Sequence, residues 1–271
     1  MKFISLILLP ALLMFSCNTK VSDSDAGVPH GNERLLTSVS WYQHSGEMRA
    51  LYYQCYNIAR EKLDLALQSA PKGKPLAVVT DIDETLLDNS PFEASLVTGN
   101  DNLEGWYNWT AKATAKALPG ALEFFSYAKS RGVAVFYITN RDDNERTGTL
   151  KNLLSEGFPF VDEAHLLTKS DTAYSTGNTS SKVGRREKVS SEYNILMLLG
   201  DNLNDFSGIF EDRKLNGGKE QVDANRELFG RKYFVLPNPM YGAWEKPQYG
   251  YNDTLDDRGR TREMLSRLRM E

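Results

Sequence analysis

Four short apolar segments alternate with helical segments along most of the chain, and this alternation is what most constrains the fold. The segments are apolar throughout, which is typical of strands that are buried on both sides. Strands of this kind, joined by helical crossovers, form a parallel sheet with helices on both faces. We therefore predict an α/β fold with a doubly wound sheet. The strands are Leu76–Thr80, Val133–Thr139, Ile195–Leu199 and Tyr233–Leu236, and the helices are Gly120–Arg131, Glu145–Glu156 and Ser181–Glu192.

Four further regions have patterns of their own. Apolar residues recur at helical spacing from Ser38 to about Ser69, which predicts one long helix or two abutting helices. Residues 89–118 include several aromatic residues and are too long for a simple crossover helix, so we predict a small, mainly helical cap there. We also expect a mobile loop at Tyr174–Ser181 and a charged surface helix at Leu255–Met270.

The first residues have the pattern of an export signal. Lys2 precedes an apolar run from Phe3 to Phe15, which is too short to span a bilayer. The residues that end at Cys17 resemble a bacterial lipobox, in which the cysteine becomes lipidated after cleavage. Simple cleavage, with Cys17 as an ordinary thiol, is the alternative. The expected division of the chain is a signal peptide at 1–16, a lipidated tether at 17–34, and one domain at 35–271 with its cap at about 89–118.

The expected location is therefore the bacterial cell envelope, with the protein attached to a membrane through Cys17. Asn18 follows this cysteine, and the absence of aspartate there favours the outer membrane in bacteria that sort lipoproteins in that way. The formal net charge of -4 gives no basic surface for a nucleic acid polymer. Cys55 lies in an apolar helical pattern, which indicates a buried and unreactive thiol. The sequence leaves open whether the protein forms an oligomer.

Polar residues follow three of the predicted strands. Asp81 and Asp83 leave the first strand, and because they are two residues apart in extended backbone their side chains can approach one substrate or cation together. Thr139-Asn140-Arg141 follows the second strand and supplies a hydroxyl, an amide and a guanidinium, all useful donors to phosphate. Asp201 and Asp205 follow the third and suit Mg²⁺, which binds few carboxylates and some water. In a parallel α/β sheet these ends are where a ligand binds.

Six motifs carry a closer resemblance to known proteins. Together they resemble the haloacid dehalogenase (HAD) superfamily of phosphohydrolases, and their finer detail is similar to class C (nonspecific) acid phosphatases, which are bacterial lipoprotein acid phosphatases of the 5′-nucleotidase type. The similarity covers nearly the whole mature chain. The motifs are Asp81–Thr85, Leu87–Pro91, Leu118–Ala121, Thr139–Arg141, Gly200–Phe206 and Leu236–Gly242.

The resemblance implies roles for the aspartates. Asp81 corresponds to the nucleophile that forms an aspartyl-phosphate, and Asp83 to the general acid for the leaving alcohol and the base for water. Mg²⁺ would lie between Asp81, the backbone carbonyl of Asp83, and Asp201, where it offsets the repulsion between an anionic nucleophile and a phosphate dianion. Asp205 would support that metal site directly or through water.

The resemblance also implies a lysine that neutralises the phosphoryl oxygens. Lys182 is our candidate, and the sequence leaves Lys169 and Lys188 open as alternatives. Thr139 and Asn140 would complete the phosphate site. The histidines lie outside every motif.

Aromatic residues indicate which chemical group bears the phosphate in the substrate. Tyr241 and Trp106 are the expected substrate contacts, because both segments should overhang the strand ends, where a ring can stack on a nucleobase, nicotinamide or aryl group. Trp109 and Trp244 are as consistent with packing as with binding.

The expected activity is hydrolysis of small phosphomonoesters, which include nucleoside 5′-monophosphates, nicotinamide mononucleotide and aryl phosphates. A phosphotransferase would use the same aspartates. A non-catalytic surface-binding lipoprotein would be expected to lose at least one of the four aspartates, all of which are present. A glycosyltransferase with an Asp-x-Asp motif would leave Asp201 and Asp205 unexplained.

Overall fold

The computed structural model describes residues 31–98, 103–171, 180–213 and 216–270. Its centre is a five-stranded parallel sheet, accompanied by a two-stranded antiparallel ribbon. The strands are β1 (Leu76–Thr80), β2 (Leu87–Asp88), β3 (Lys116–Ala117), β4 (Ala134–Ile138), β5 (Leu166–Leu167), β6 (Asn194–Gly200) and β7 (Tyr233–Val235). The order in the large sheet is β5-β4-β1-β6-β7, and β2 pairs with β3.

The predicted α/β fold with a parallel sheet is confirmed. All four predicted strands are present, and each keeps its predicted bounds to within one residue. The fifth strand, β5, was missed because a strand of two residues is too short to show a periodic pattern. β1 lies at the centre, between β4 and β6, so the residues that follow it emerge in the middle of one sheet edge.

The helices match the predicted segments closely. They are α1 (Gly31–His44), α2 (Gly46–Gln68), α3 (Ser90–Val97), α4 (Leu103–Lys112), α5 (Ala121–Ser130), α6 (Arg146–Glu156), α7 (Val183–Glu192), α8 (Lys219–Ala224) and α9 (Asp257–Ser266). The predicted helical region near the N-terminus forms two helices, divided at Ser45, whose hydroxyl accepts a hydrogen bond from Met48 N at 3.1 Å and caps α2. Residues 31–34, which we expected in the tether, belong to α1.

Some predictions fall outside the described residues. These are the signal peptide, Cys17 and its lipid, the tether before Gly31, and most of the predicted mobile loop. Among the helices that are described, none combines the length and apolar composition needed to cross a bilayer.

Both faces of the sheet are covered, as the apolar strands predict. Val78 packs in one cluster with residues of α2 and α5, such as Phe125, while Val79 packs in a second cluster with Val189 of α7. Successive residues of β1 therefore point into different apolar layers. Each fully buried side chain of this size contributes about 1.5–3 kcal/mol to folding.

The segment between β1 and α5 forms the expected cap, which is small and mainly helical. It consists of β2, α3, α4 and β3. The cap is packed tightly against the sheet domain at Gly148 of α6, where an added Cβ would lie 2.7 Å from the carbonyl oxygen of Thr110. A residue without a side chain is therefore required at this contact between α4 and α6.

Candidate active site

The carboxyl ends of β1 and β6 bring together three of the predicted site residues. Asp81 follows β1 directly, and its backbone N–H donates to the carbonyl of Leu199 in β6 at 3.0 Å. Nζ of Lys182 lies 2.7 Å from Oδ1 of Asp81 and 2.6 Å from Oδ1 of Asp205. The side chain of Asp81 is 11% exposed, and those of Lys182 and Asp205 are each 5% exposed. Water therefore screens these ion pairs weakly.

The structure distinguishes between the three candidate lysines. Lys182 is the residue immediately before α7, and its ammonium group contacts Asp81 and Asp205. Lys169 is 4.0 Å from Asp142, and Lys188 pairs with Glu192 on an exposed face of α7. Of the three, Lys182 is the one placed at the strand ends.

Asp205 is held in place by the turn that follows β6. Its Oδ2 accepts a hydrogen bond from Asn202 N at 2.9 Å, as part of a capping box on a 3₁₀ turn. A Cβ at Gly200 would lie only 2.2 Å from that same oxygen. The glycine in the Gly-Asp-Asn motif is therefore needed so that the carboxylate can approach the end of the strand.

Three carboxylates lie close together at the ends of β1 and β6, with one lysine beside them. Ligand oxygens of Asp81, Asp201 and Asp205 all lie within 4.8 Å of one another. Burial, together with Asp205 and Asp83, raises the pKa of Asp81 to about 7 against the opposing effect of Lys182. Burial, with Asp205 and Asp81, raises the pKa of Asp201 well above its usual range. One lysine does not balance this cluster, and a divalent cation with oxygen ligands fits it.

Asn238 and Lys182 both contact carboxylates of this cluster. Nδ2 of Asn238, in the loop after β7, donates to Oδ2 of Asp201 at 2.8 Å and orients that carboxylate. Although burial lowers the pKa of Lys182, Asp205 and Asp81 raise it more strongly, and the net shift is upward. Lys182 is therefore a permanent positive charge beside Asp81 at neutral pH.

Asp83 lies in the same cavity but has different partners. Arg141 donates from Nη2 to Oδ1 at 2.6 Å and from Nε to both carboxylate oxygens, at 3.1 and 3.2 Å. Asn89 of the cap donates to Oδ1 at 2.8 Å. Arg141 is itself buried and donates to Thr149 at 3.0 Å. The sheet domain and the cap thus fix the position of Asp83 together.

The predicted phosphate-binding residues occupy two environments. Asn140 is exposed, lines the cavity and donates from Nδ2 to the carbonyl of Ser180 at 3.0 Å. Thr139 is fully buried behind it, and its hydroxyl accepts from Arg141 N at 3.1 Å. Arg185 is also buried and holds this loop by donating to Asn140 Oδ1 at 2.6 Å and to the carbonyl of Thr139.

A cavity of about 480 Å³ opens above the aspartates. Trp106 of the cap and Tyr241 of the loop after β7, the two expected substrate contacts, both line it. Trp109 instead packs the cap, because its Nε1 donates to Oδ1 of Asn89 at 2.8 Å. Trp244 lines a neighbouring cavity and donates to the carbonyl of Tyr241 at 3.1 Å. The remaining lining residues include Asp81, Asp83, Glu93, Asn140, Arg141, Lys182, Asp201, Asn202, Asn204 and Asp205.

Several residues of the site were not among those predicted from the sequence. Glu84, Asn89 and Arg185 each have a buried polar side chain that supports a cavity residue. Glu84 and Asn89 lie inside family-like motifs, so that signal was present in the sequence. Arg185 lies outside every motif, and its role depends on contacts with Asn140, which is 45 residues away.

Comparisons with known proteins give a consistent result. A family model described as "HAD superfamily, subfamily IIIB (Acid phosphatase)" matches residues 15–244. The class C acid phosphatase from Bacillus anthracis aligns with a TM-score of 0.81 and 39% identity, over 89% of this chain and 99% of that one. A crystal structure of class C acid phosphatase from the same organism with tungstate bound aligns with a TM-score of 0.80 and 38% identity, over 89% and 98% of the two chains.

A plant protein is similar over a shorter region. Acid phosphatase 1 from Solanum lycopersicum is 28% identical over 166 residues, which are 60% of this chain and 57% of that protein. The chain therefore spans little more than half the length of this curated relative.

Proposed function

The chain belongs to the acid phosphatases of subfamily IIIB of the HAD superfamily, and we propose that it hydrolyses small phosphomonoesters. This membership confirms the resemblance drawn from the six motifs. One observation carries the proposal. Asp81 lies at the end of the central strand, paired with the buried Lys182, at the base of an open cavity. A carboxylate held in this way is the nucleophile that phosphoryl transfer through a covalent intermediate requires.

Proposed substrates are nucleoside 5′-monophosphates, nicotinamide mononucleotide and aryl phosphates. Trp106 and Tyr241 support this choice because they line the cavity above the aspartates, where a flat leaving group can stack. The relative from Bacillus anthracis was crystallised with tungstate, a tetrahedral oxyanion like phosphate. The cavity volume of about 480 Å³ suits a small ester.

In the proposed mechanism Asp81 attacks phosphorus, and the bond from phosphorus to the leaving oxygen breaks. Asp83 donates its proton to that oxygen, so the alcohol leaves uncharged. Asp83 then accepts a proton from water, which attacks the aspartyl-phosphate and releases inorganic phosphate, leaving Asp81 free. Arg141 and Asn89 hold Asp83 in one orientation throughout.

The other polar residues would hold the phosphate. Lys182 neutralises charge beside Asp81, with Asp205 fixing its ammonium group. The amide of Asn140 lines the same cavity and would donate to a phosphoryl oxygen. Thr139 lies behind Asn140, so its contribution would come from the loop backbone that its hydroxyl orients.

The family implies a divalent metal, and we propose Mg²⁺ held by Asp81 and Asp201, with the backbone carbonyl of Asp83. The oxygen donor set and its uncompensated charge fit that ion. Both oxygens of Asp205 have protein partners, so we assign this residue to supporting the site. When bound, Mg²⁺ supplies positive charge that offsets the repulsion between Asp81 and a phosphate dianion.

Replacing Asp81 by Asn tests the proposal. With Mg²⁺ and p-nitrophenyl phosphate, the variant should lose hydrolysis while remaining folded by circular dichroism, because Lys182 keeps its ion pair with Asp205. Chelation should abolish wild-type activity, and added Mg²⁺ should restore it. Retained hydrolysis in Asp81→Asn would refute the nucleophile, and a wild-type protein without phosphatase activity would favour a binding role. Comparing released phosphate with transfer to added alcohols separates a hydrolase from a phosphotransferase.

We also propose that the protein is attached through a lipid on Cys17 to the bacterial outer membrane. The support is the apolar run at Phe3–Phe15 with a lipobox-like end. Metabolic labelling with a fatty acid, followed by membrane fractionation, tests this. Label in the wild type and none in Cys17→Ser is expected, and equal label in both would contradict the proposal.

A further inference from the structure

Glu84 is a buried carboxyl that the proposed mechanism does not use. It follows Asp83 directly, and its side chain has no exposed surface. Oε1 accepts a hydrogen bond from Asn89 N at 2.8 Å, and Oε2 contacts the hydroxyl of Tyr241. One side chain thus connects the loop after β1, the start of the cap and the loop after β7.

The backbone at Glu84 is held in an uncommon conformation. Its φ is +51°, in the left-handed region that residues with a side chain rarely adopt and that costs about 1–3 kcal/mol. Two hydroxyls from α2 hold this turn. Tyr52 donates to the carbonyl of Glu84 at 2.5 Å, and Tyr56 donates to the carbonyl of Thr85 at 2.7 Å. Glycine would relieve the strain, so a glutamate here indicates that the carboxyl itself is needed.

The partner of this carboxyl lies in the wall of the proposed substrate cavity. Tyr241 is half-buried and lines the cavity that contains Asp81 and Lys182. Its ring turns about two side-chain torsions, and a fixed hydroxyl stops that rotation. An aromatic surface that is already oriented binds a flat group without the entropy cost of ordering it.

We propose that Glu84 is a positioning residue that holds Tyr241 as an aromatic wall for the leaving group, and that it thereby sets the preference for aromatic over small aliphatic phosphomonoesters. This inference rests on the proposed phosphatase function. Glu84 acts through Tyr241 and does not touch the reacting atoms. Its removal should therefore weaken the binding of aromatic esters, whereas any effect on the phosphate end, through Asn89 and Asp83, should be equal for all esters.

The test compares KM and kcat for adenosine 5′-monophosphate and glycerol 2-phosphate. In Glu84→Ala the KM for the nucleotide should rise about three- to tenfold, the size of one aromatic contact. The KM for glycerol 2-phosphate should stay within about twofold of wild type, and any change in kcat, transmitted through Asn89 to Asp83, should be the same for both esters. Glu84→Gln should restore the nucleotide KM, because an amide can still accept from Asn89 N and bond to the Tyr241 hydroxyl.

Tyr241→Phe breaks the same contact from the other side and keeps the ring. It should raise the nucleotide KM as Glu84→Ala does, and the double variant should show no further rise. If Glu84→Ala does not fold, Tyr241→Phe alone decides, and an unchanged nucleotide KM would then overturn the proposal. Glu156→Ala is the matched control, because Glu156 also accepts from a backbone N–H, that of Ala117 at 2.9 Å, away from the cavity.

Two further results would contradict the proposal. One is an equal loss of kcat/KM for both esters in Glu84→Ala, which indicates a general structural role. The other is a Glu84→Gln variant no better than Glu84→Ala. A wild-type protein that hydrolyses neither ester would instead refute the proposed function, so the two failures are distinguishable.

Discussion

Replacing Lys182 by methionine tests the electrostatic account of the site. Its ammonium lies 2.7 Å from Asp81 and 2.6 Å from Asp205, and the side chain is 5% exposed. At these separations each ion pair has a Coulomb energy of about 6 kcal/mol at an effective dielectric constant near 20. Desolvation offsets much of that energy. We therefore expect a loss of about 3–5 kcal/mol of folding free energy, which is the usual cost of breaking a buried ion pair from one side.

Two assays test this account, one of stability and one of catalysis. For a domain of this size, each kcal/mol lowers Tm by about 2–4 °C, so Lys182→Met should melt about 6–20 °C below the wild type. Removing the positive charge beside the proposed nucleophile should lower kcat about 10²- to 10³-fold. Thermal unfolding by circular dichroism and hydrolysis of p-nitrophenyl phosphate, measured below the melting range, give both quantities.

The other two candidate lysines provide matched controls. Lys169 and Lys188 are partly exposed, and surface ion pairs contribute only about 0–1 kcal/mol. Methionine at either position should therefore leave Tm within about 4 °C and kcat within about twofold of wild type. A Lys182→Met variant with the wild-type Tm and rate would refute this electrostatic role, and so would a control variant with losses as large as those of Lys182→Met.

Three further predictions concern single residues. Gly200→Ala should destabilise the fold by about 1–3 kcal/mol and reduce activity, because its Cβ would meet Asp205 Oδ2 at 2.2 Å; an unchanged Tm in thermal unfolding would contradict this. Arg141→Met should lower kcat at least about tenfold for every ester, because it removes the bidentate partner that orients Asp83, and selective loss for aromatic esters would argue against that role. Cys55 is half-buried and not fully buried as its sequence pattern indicated, but it should still react slowly with iodoacetamide at pH 8, because desolvation raises its pKa to about 12 and the folded thiol stays protonated. In a variant without the other cysteine, its rate should keep rising above about pH 10, whereas the rate in the unfolded chain should level off there, one to two units above a pKa of about 8.5.

The elements of the fold were largely predictable because they depend on local pattern. Leu76–Thr80 has the predicted bounds, since a short apolar run between polar segments is visible within a few residues. β5 was not predicted, because two residues pair with β4 only after the rest of the sheet has formed. The break at Ser45 was left open, because the residue both continues a helical pattern and can cap a helix.

The site was predictable to a different degree at each residue. Asp81, Asp83, Asp201 and Asp205 could be proposed because the carboxyl ends of adjacent parallel strands meet at one edge. Lys182 was the preferred lysine, but the sequence left Lys169 and Lys188 open, because spacing along the chain does not show which of them reaches the strand ends. Only the path of the chain before α7 places Lys182 between two of the aspartates.

By itself the sequence determined the strands, the helices, the cap and the acidic residues that follow β1 and β6, because each of these depends on composition and spacing along the chain. The tertiary structure decided how their side chains pair. Arg141 meets Asp83 across 58 residues, and Tyr241 meets Glu84 across 157. No local pattern encodes such contacts, because they depend on the order of the strands in the sheet and on where each loop emerges from it.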